Sequence, residues 1–414
     1  MGYAGKVLML VENNYPQDPR VRREAVTLTQ AGYKVTVLAL LYPGQTRKEC
    51  IDGVDVYRIP PITVFRKGYG QPRQSKFQIT FHRIKAIFGY MNEYLYFTFA
   101  CLLICTRLFF KTGINIVHLN NPPDTLFLVG IWAKLLNKKV VFDHHDVSPE
   151  LYLSRYNADK DIVYQMLCLI ERICLKISDI VIATNASYKA IEIKRGKIKP
   201  ETVYIVRNGP DLDRVKRVPP DTKLKNMNKT ILCYLGAMNP QDGLDYLLRS
   251  LHKLVYELGR TDFYCVLIGS GDVLEELKEL AVRLKIEDYV WFTGYVSDED
   301  MLRYLSTADI CVDPDPSSPL NDVSTWIKIM EYMALEKPIV TFDLKETHYS
   351  AQAAAKYVKP NDELEFAQAV SELMDNPKER KKMGEFGKKR VRNELAWEHV
   401  SRNLIEAYRA AGQS

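Results

Sequence analysis

The sequence predicts an α/β protein of two domains, each with a doubly wound parallel sheet covered by helices. Three observations support this fold class. Short apolar segments alternate with longer helical segments. Polar and apolar residues do not alternate within these apolar segments, as they would in half-exposed strands. The whole pattern occurs twice in 414 residues. Strands that are apolar throughout are typical of parallel sheets that are buried on both faces.

The first half of the chain supplies a series of apolar strands with helices between them. The predicted strands are Val7–Val11, Val35–Leu40, Val56–Ile59, Ile114–Leu119, Lys139–Asp143 and Ile180–Ala183. The predicted helices are Asp18–Ala31, a long region that ends at Lys111, and Asp124–Leu136. This strand–helix–strand order favours a parallel sheet.

A turn-rich stretch separates the halves. A strand at Val203 runs into Arg207-Asn-Gly-Pro-Asp211, and a polar sequence rich in Pro and Lys follows to Lys229. Such composition is typical of a domain boundary. We therefore expect one domain over residues 1–205 and another over residues 210–396, with the last helix, 397–414, packed back on the first domain.

The alternation then restarts. The predicted strands of the second half are Thr230–Leu235, Tyr264–Gly269, Val290–Thr293, Ile310–Val312 and Ile339–Phe342, with helices beginning at Leu244, Val273 and Asp298. Open α/β sheets bind ligands beyond the carboxyl ends of their strands, so we expect functional residues in the loops that follow these strands.

The net charge and the cysteine content of the chain limit the partners and the cellular location that we expect. The formal net charge of +6 is concentrated in the first half, which favours an anionic partner such as membrane lipid, a phosphorylated acceptor or nucleic acid. Nucleic acid ranks lowest, because no recognition motif is present. The eight cysteines have no metal spacing, and no apolar leader follows Met1, so we expect a reduced, cytoplasmic location, with the inner face of the cell membrane as an alternative.

One apolar run, Tyr94–Phe110, is shorter than the roughly 20 residues that span a bilayer. We expect a buried helix in preference to a membrane-inserted one. The preceding stretch is basic and aromatic, with Arg66, Lys67, Arg73, Lys76, Phe77, Phe81, Arg83, Lys85 and Phe88. Peripheral docking of the basic first domain on an anionic membrane is therefore a further hypothesis.

The segment from Ser317 to Val340 carries the strongest local signal. A polar loop leads into a helix with Ser324 or Asp322 as the expected N-cap and Ile327, Met330 and Ala334 on one face. The amino end of such a helix suits a diphosphate. Glu331 lies inside this helix among apolar residues, where it needs a partner: either ribose hydroxyls or a neighbouring lysine.

Three other loops hold candidate residues. Gly269-Ser-Gly271 permits a tight turn beside a ligand, although alone this motif is common. His144, His145 and Asp146 follow the strand Lys139–Asp143, where we favour a ligand contact over a capping role, and a zinc site is less favoured. After the first strand, Asp18 is a helix cap, and Arg20 or Arg22 is a candidate for binding an anionic group or simply a solvated charge.

These segments, taken in order, resemble the retaining glycosyltransferases of family 4, a branch of the two-domain GT-B enzymes. The motifs that carry the resemblance are Leu235-Gly236, Leu267-Ile-Gly-Ser-Gly271, Phe292-Thr-Gly-Tyr-Val296, Ala308-Asp309-Ile310, the hinge Asn208-Gly-Pro-Asp211, the terminal Ala396-Trp397-Glu398, an Asp-x-His loop at Asp143–His145 and an Asp-x-Arg-Val loop at Asp18–Val21. The second half matches best.

The resemblance implies transfer of a sugar from a nucleoside diphosphate sugar to an acceptor hydroxyl, with the anomeric configuration retained and no protein nucleophile. It implies His145 and Glu331 as catalytic residues, and to these we add Lys328 as the nearest replacement for a positive charge that the family has and this chain lacks. The nucleotide-sugar site it implies comprises Gly236, Gln241, Gly269, Gly271, Tyr295, Val296, Asn321, Asp322, Ser324, Thr325, Trp326, Ile327, Lys328 and Glu331. The acceptor site comprises Asn13, Asp18, Arg20 and His145, and the acceptor is expected to be a glycan or a lipid-linked precursor.

No cofactor or metal is expected, although Asp313-Pro-Asp315 resembles the metal motif of single-domain transferases. The chain departs from the family at two places. Val323 stands where the family has a first Glu, and the loop from Gly236 to Gly243 lacks the family's Arg and Lys, so Lys328 is the nearest replacement cation. These departures keep two alternatives open, a non-catalytic sugar-nucleotide scaffold and a sugar-nucleotide epimerase of the same fold.

Overall fold

The computed structural model describes residues 4–62 and 76–413 of the protein, without the side chains of residues 76–88, 90 and 413. Contacts divide the chain into two compact units. The first comprises Met1–Arg207 and Val400–Ser414, and the second comprises Asn208–His399. Each unit holds one sheet.

The described residues of the first unit form eight strands. They are β1 (Gly5–Asn14), β2 (Tyr33–Leu40), β3 (Lys48–Ile51), β4 (Val54–Ile59), β5 (Ile116–Asn120), β6 (Lys139–His144), β7 (Ile180–Ala183) and β8 (Val203–Ile205). Their order in the sheet is β3-β4-β2-β1-β5-β6-β7-β8, and only the β3–β4 pair is antiparallel. The short edge strand β3 was not predicted, because its side chains are exposed or half-buried and give no apolar run.

The helices of the first unit pack on this sheet. They are α1 (Pro19–Gln30), α2 (Lys76–Thr112), α3 (Phe127–Leu135), α4 (Ser148–Tyr156), α5 (Ile162–Ile177) and α6 (Ala186–Gly196). Asp18 caps α1 as predicted, because its carboxylate accepts hydrogen bonds from the backbone N–H of Arg20 and Val21. The last helix of the chain contributes Tyr408, whose hydroxyl lies 2.5 Å from Nδ1 of His118 on β5.

The second unit contains six parallel strands. They are β9 (Thr230–Leu235), β10 (Phe263–Ile268), β11 (Val290–Gly294), β12 (Ile310–Asp313), β13 (Ile339–Phe342) and β14 (Ala355–Val358), in the sheet order β11-β10-β9-β12-β13-β14. Its helices are α7 (Thr222–Lys225), α8 (Leu244–Tyr256), α9 (Leu274–Arg283), α10 (Asp298–Thr307), α11 (Ile327–Ala334), α12 (Lys345–Ala351), α13 (Glu363–Met374) and α14 (Pro377–Arg390). The last helix, α15 (Trp397–Gln413), begins in this unit and belongs to the first unit from Val400 onward.

The predicted fold class is confirmed: two parallel sheets alternate with helices. The sheet order also locates the ligand-binding edges. In the first unit the chain reverses direction across the sheet between β1 and β5, and in the second unit between β9 and β12. Crevices at the carboxyl ends of strands flanking such a reversal are where doubly wound sheets bind ligands.

The stretch of residues 63–75, which includes Arg66, Lys67 and Arg73 of the basic, aromatic segment, lies outside the described residues. The predicted contributions of Lys76, Phe77, Phe81, Arg83, Lys85 and Phe88 lie outside the described side chains.

Candidate active site

At the carboxyl edge of the first sheet, the predicted acceptor residues lie in the loops after β1 and β6. Asn13 Nδ2 donates to Asp18 Oδ2 at 2.8 Å, while Asp18 Oδ1 caps α1. The two side chains thus fix one another beside the end of β1. Both carboxylate oxygens of Asp18 are therefore engaged within the loop.

Arg20 is buried and forms an ion pair with Asp143 at the end of β6. Its Nε and a terminal nitrogen donate to the two carboxylate oxygens at 2.7 and 2.6 Å, and its other terminal nitrogen donates to the carbonyl of Val206 at 3.1 Å. The carboxylate of Glu24 lies 3.2 Å from the same guanidinium. Arg20, predicted as an acceptor contact, therefore directs its donors into the protein.

His145 is the predicted site residue that Asp143 orients. Its Nδ1 lies 3.1 Å from Asp143 Oδ2, and its backbone N–H donates to the Asn121 side chain at 2.9 Å. Burial lowers the pKa of His145, but the neighbouring Asp143 carboxylate outweighs this, and the net shift is upward. The bond to Nδ1 leaves Nε2 on the side of the ring away from Asp143, which is the arrangement a ligand-contacting histidine needs.

The groups around Arg20 have perturbed proton affinities. Burial, with Asp143 nearby, raises the pKa of Glu24 to about 8, and burial lowers the pKa of His118 to about 4. Burial opposes ionisation of Asp143, yet Arg20 holds its pKa well below the usual range. These directions favour a charged Arg20–Asp143 pair beside neutral Glu24 and His118.

Glu24, His118 and Asp143 also have ligand atoms within 4.8 Å of one another, a spacing that suits a metal ion. The guanidinium of Arg20 already contacts both carboxylates of this set. Since it supplies the positive charge that a metal would bring, we assign no metal to these residues.

His144 has a different environment from its neighbour. Both ring nitrogens lie 3.0 Å from buried carboxylates, Nδ1 from Glu192 and Nε2 from Glu171. Arg195 completes the network by binding Glu171 and Glu150. His144 is therefore a core residue, and this network was not predicted, because its members are scattered along α4, α5 and α6.

In the second unit, the predicted glycines bring two loops together. A Cβ on Gly271 would lie 2.3 Å from the carbonyl oxygen of Met238, and one on Gly269, whose φ is +134°, would lie 1.9 Å from the carbonyl of Gly236. The loops after β9 and β10 are also joined by hydrogen bonds, such as Met238 N–H to Ser270 O at 3.2 Å. Contact between these two backbones thus accounts for both glycines.

The remaining predicted residues of this edge lie in the loop after β12. Asn321 is buried, and its amide nitrogen donates to the carbonyls of Gln241 and Pro316, both at 2.9 Å. Asp322 accepts from the Ser317 hydroxyl at 3.2 Å. Tyr295, in the loop after β11, is 91% exposed, and Val296 beside it packs on the core.

The helix α11 begins at Ile327, later than predicted. Its N-cap is Trp326, which makes no side-chain cap hydrogen bond. The predicted caps are wrong: Ser324 donates to the carbonyl of Leu320 at 2.8 Å, and Asp322 accepts from Ser317. The first N–H groups of α11 therefore have no side-chain cap, and such groups favour an anion.

Lys328 lies in the first turn of α11, where it is buried between two aspartates. Its Nζ is 2.9 Å from Asp313 Oδ1 and 2.8 Å from Asp315 Oδ1, and 4.9 Å from the centre of the Tyr234 ring. Burial and the adjacent Asp313 raise the pKa of Asp315 well above its usual value. The Asp313-Pro-Asp315 motif thus holds a lysine, and the charge of Lys328 is balanced within the protein.

Glu331 does not pair with Lys328. Instead, its Oε1 lies 3.6 Å from a terminal nitrogen of Arg214, which also forms two hydrogen bonds with Asp298 at 2.8 and 2.9 Å. Arg214 was not predicted as part of the site, because it lies in the polar stretch after the turn cluster. Glu331 thus has a cationic neighbour and a small exposed surface.

Apart from one oxygen each of Asp313 and Asp315, which lie at the end of β12, three buried polar atoms of these loops have no hydrogen-bond partner among the described residues. They are Gln241 Oε1, Asn321 Oδ1 and Trp326 Nε1. All three belong to residues predicted to bind the nucleotide sugar. The orientation of the Asn321 amide is fixed, since turning it over would place its oxygen against two carbonyls.

Two family models match successive parts of the chain. A glycosyltransferase family 4 model matches residues 20–214, and a glycosyl transferases group 1 model matches residues 218–390. Alpha-maltose-1-phosphate synthase from Mycolicibacterium smegmatis is 23% identical over 59% of this chain and 67% of its own. An uncharacterized glycosyltransferase from Methanocaldococcus jannaschii is 22% identical over 84% of this chain and 82% of its own, while another relative from that organism is matched over 46% of its length.

Solved structures share the fold at low sequence identity. Sucrose-phosphate synthase from Thermosynechococcus elongatus has a TM-score of 0.74 at 17% identity over 98% of both chains. Anabaena HepE in complex with UDP and glucose has a TM-score of 0.72 at 15% identity, over 98% of this chain and 100% of its own. The two family models, which together cover residues 20–214 and 218–390, show that the chain belongs to the glycosyltransferases of family 4 and group 1. The solved structures show that it shares their two-domain GT-B fold.

Proposed function

We propose that this glycosyltransferase takes its sugar from a nucleoside diphosphate sugar and retains the anomeric configuration. The observation that carries the proposal is the group of unpartnered buried atoms on Gln241, Asn321 and Trp326. A buried polar atom without a hydrogen bond costs about 1–3 kcal/mol, so such a group favours a polar ligand. A nucleotide sugar offers both the hydroxyl donors and the phosphate acceptors that these atoms require.

We assign the donor roles within the second unit. The uncapped start of α11 binds the diphosphate through the N–H groups of Ile327 and Lys328, and its dipole stabilises the negative charge that develops as the diphosphate leaves. Glu331 accepts hydrogen bonds from ribose hydroxyls. Lys328 acts indirectly in this proposal, because its ammonium group is held by Asp313 and Asp315.

The transfer step needs no protein nucleophile. The bond between the anomeric carbon and the leaving phosphate oxygen breaks while the acceptor oxygen bonds to the same face of that carbon, and the acceptor proton passes to the phosphate. His145 contacts the sugar through Nε2, with Asp143 as the residue that positions it. No metal enters this scheme.

The acceptor is proposed to be a lipid-linked or phosphorylated glycan precursor, on the basis of the cationic first half of the chain. Asn13 and Asp18 are the proposed contacts after β1. We assign Arg20 the role of holding Asp143 in place instead of contacting the acceptor, because its guanidinium N–H groups already bind Asp143 and the carbonyl of Val206.

The test is a thermal-shift screen with UDP, GDP, ADP and their common sugars, with and without EDTA. A ligand at about 100 times its dissociation constant stabilises the fold by about 2.7 kcal/mol. We expect one nucleotide to raise the melting temperature regardless of EDTA, with the shift lost in Glu331→Ala and kept in the control Glu299→Ala. Absence of a shift with every nucleotide would refute the donor site.

Turnover is then measured as release of the nucleoside diphosphate, and the anomer of the product is assigned by NMR. Binding without release would point instead to a sugar-nucleotide scaffold. A changed nucleotide sugar with no transferred product would point to an epimerase.

A further inference from the structure

Three helices of the first unit lie side by side and present one outer surface. Trp132 Nε1 of α3 donates to Thr106 Oγ1 of α2 at 3.0 Å. On its other flank α3 meets α5, where a Cβ on Gly130 would lie 2.7 Å from Ile177 Cδ1. The outward sides of α2, α3 and α5 are therefore continuous, and we refer to them as the three-helix face.

This face holds most of the exposed apolar side chains of the described residues. Eight of the fifteen large apolar residues that are exposed lie on it: Phe99, Leu103, Phe110, Ile131, Leu135, Ile162, Met166 and Leu169. Leu103 is 76% exposed, Phe110 74% and Leu135 70%. Spacings of three, four and seven residues keep the members from each helix on one side of that helix. An exposed apolar patch of this extent marks an interaction site.

The exposed charges on the same helices are all positive within the described residues. Arg107 and Lys111 continue the α2 stripe, Lys134 lies beside Leu135, and Arg172 and Lys176 continue the α5 stripe. The acidic residues of these described segments, Glu93 and Glu171, are half-buried and buried. The face thus combines apolar and cationic side chains with no exposed carboxylate of its own.

The inner side of α2 belongs to the core of the first unit. Within the described part of the chain, Met91–Thr112 is the one helical segment long and apolar enough to cross a membrane, with a third of its most apolar window buried. Phe97, Cys101 and Cys105 are fully buried, and the Thr98 hydroxyl is 2.8 Å from that of Thr125. A helix anchored on one side and apolar and basic on the other suits the plane of a membrane surface.

We propose that the three-helix face docks on an anionic lipid membrane. The apolar side chains enter the boundary between headgroups and acyl chains, and the flanking lysines and arginines meet anionic headgroups. A second copy of the chain fits this face less well, because a symmetric pairing would bring the two sets of cations together. None of these residues belongs to the proposed donor or acceptor sites, so the proposal stands apart from the sugar chemistry.

The test is flotation of the full-length protein with vesicles of phosphatidylcholine alone or with about a third phosphatidylglycerol. An apolar variant carries three exposed leucines changed to glutamine: Leu103→Gln, Leu135→Gln and Leu169→Gln. A cation variant carries Arg107→Gln, Lys111→Gln and Lys176→Gln. Each variant has a matched control in the second unit. The apolar control carries Met227→Gln, Tyr256→Gln and Val282→Gln. The cation control carries Lys345→Gln, Lys381→Gln and Lys382→Gln.

We expect the wild type and both controls to float with the anionic vesicles and to remain behind with phosphatidylcholine alone. Each face variant should lose about a hundredfold to a thousandfold in partitioning, from roughly fivefold to tenfold for each of its three residues. Nucleotide-induced thermal shifts should be unchanged in the face variants, which separates this proposal from the donor site.

Three results would overturn the membrane proposal. The first is a wild type that does not bind the anionic vesicles. The second is binding that survives in both face variants, which would place the lipid contact elsewhere. The third is a wild-type dimer that the apolar variant dissociates, with no vesicle binding, which would assign the face to a second copy.

Discussion

Arg20 and Asp143 lie 123 residues apart in the sequence, and two parallel hydrogen bonds of 2.7 and 2.6 Å join their side chains. Both groups are buried. The pair ties the start of α1 to the end of β6, so it holds the loops after β1 and β6 in one arrangement. His145, whose ring nitrogen contacts the same carboxylate, depends on this arrangement.

Breaking this pair should destabilise the first unit strongly. We expect Arg20→Met to cost about 3–5 kcal/mol, because the Asp143 carboxylate is then buried without its cation. Arg20→Lys should cost less, because the ammonium group keeps a positive charge beside Asp143. Some loss remains, since it can replace only one of the two hydrogen bonds. The combined variant Arg20→Met with Asp143→Asn should be more stable than the sum of the single losses predicts. Urea denaturation measures these free energies, and strictly additive losses would show that the two residues are not coupled.

Asp143 should also set the pH dependence of catalysis through His145. The carboxylate raises the pKa of the imidazole, so Asp143→Asn should move the limb of the kcat profile that His145 controls toward lower pH. A purely structural role would lower kcat at every pH and leave the limb in place. The measurement is kcat against pH at a temperature where circular dichroism confirms folding, with the exposed Glu201→Gln as the control.

The sequence predicted the sheets because burial on both faces favours apolar strands such as Val7–Val11. It predicted Asp18 as a cap, since capping is decided within three residues. It missed the partners of Arg20 and Glu331, because tertiary ion pairs leave no local signal. The cap of α11 was predicted wrongly for a local reason: the Ser324 hydroxyl instead binds the carbonyl four residues back.

Lys328 illustrates the same limit. The sequence drew attention to Lys328, Asp313 and Asp315 separately, but it did not predict that the lysine contacts both aspartates. We expect Lys328→Ala to leave Asp313 uncompensated and to cost about 3–5 kcal/mol, or roughly 6–20 °C in melting temperature, without any ligand. Scanning fluorimetry tests this prediction, with the exposed Lys345→Ala as a control. An unchanged melting temperature would mean that Lys328 is free to bind the diphosphate directly.

Gly271 should tolerate no side chain, because a Cβ would lie 2.3 Å from the carbonyl oxygen of Met238. We expect Gly271→Ala to push the loops after β9 and β10 apart and to cost about 1–3 kcal/mol. Gly259→Ala is the control, as nothing lies within 4 Å of its Cβ position and only backbone strain remains. Thermal denaturation of both variants decides the point, and a loss in Gly271→Ala that is smaller than the strain-only loss in Gly259→Ala would show that the two loops accommodate a methyl group.

Glu24 should make the protein less stable as the pH rises toward 8. Burial and Asp143 raise its pKa from 4.5 to about 8 in the folded state. Between these values the folded protein keeps a proton that the unfolded chain has released, so the contribution is complete below about pH 4.5 and is lost as the pH approaches 8. The slope is on the order of 1 kcal/mol per pH unit.

Glu24→Gln removes this proton while keeping the shape of the side chain. We expect the melting temperature of Glu24→Gln, relative to wild type, to rise between about pH 6.5 and pH 8. This window avoids His118, because its depressed pKa of about 4 costs stability only as the pH falls below its unfolded value near 6.5. The exposed Glu201→Gln serves as the control and should run parallel to wild type. If Glu24→Gln also runs parallel, then Glu24 is ionised in the folded protein, and the guanidinium of Arg20 stabilises two carboxylates rather than one.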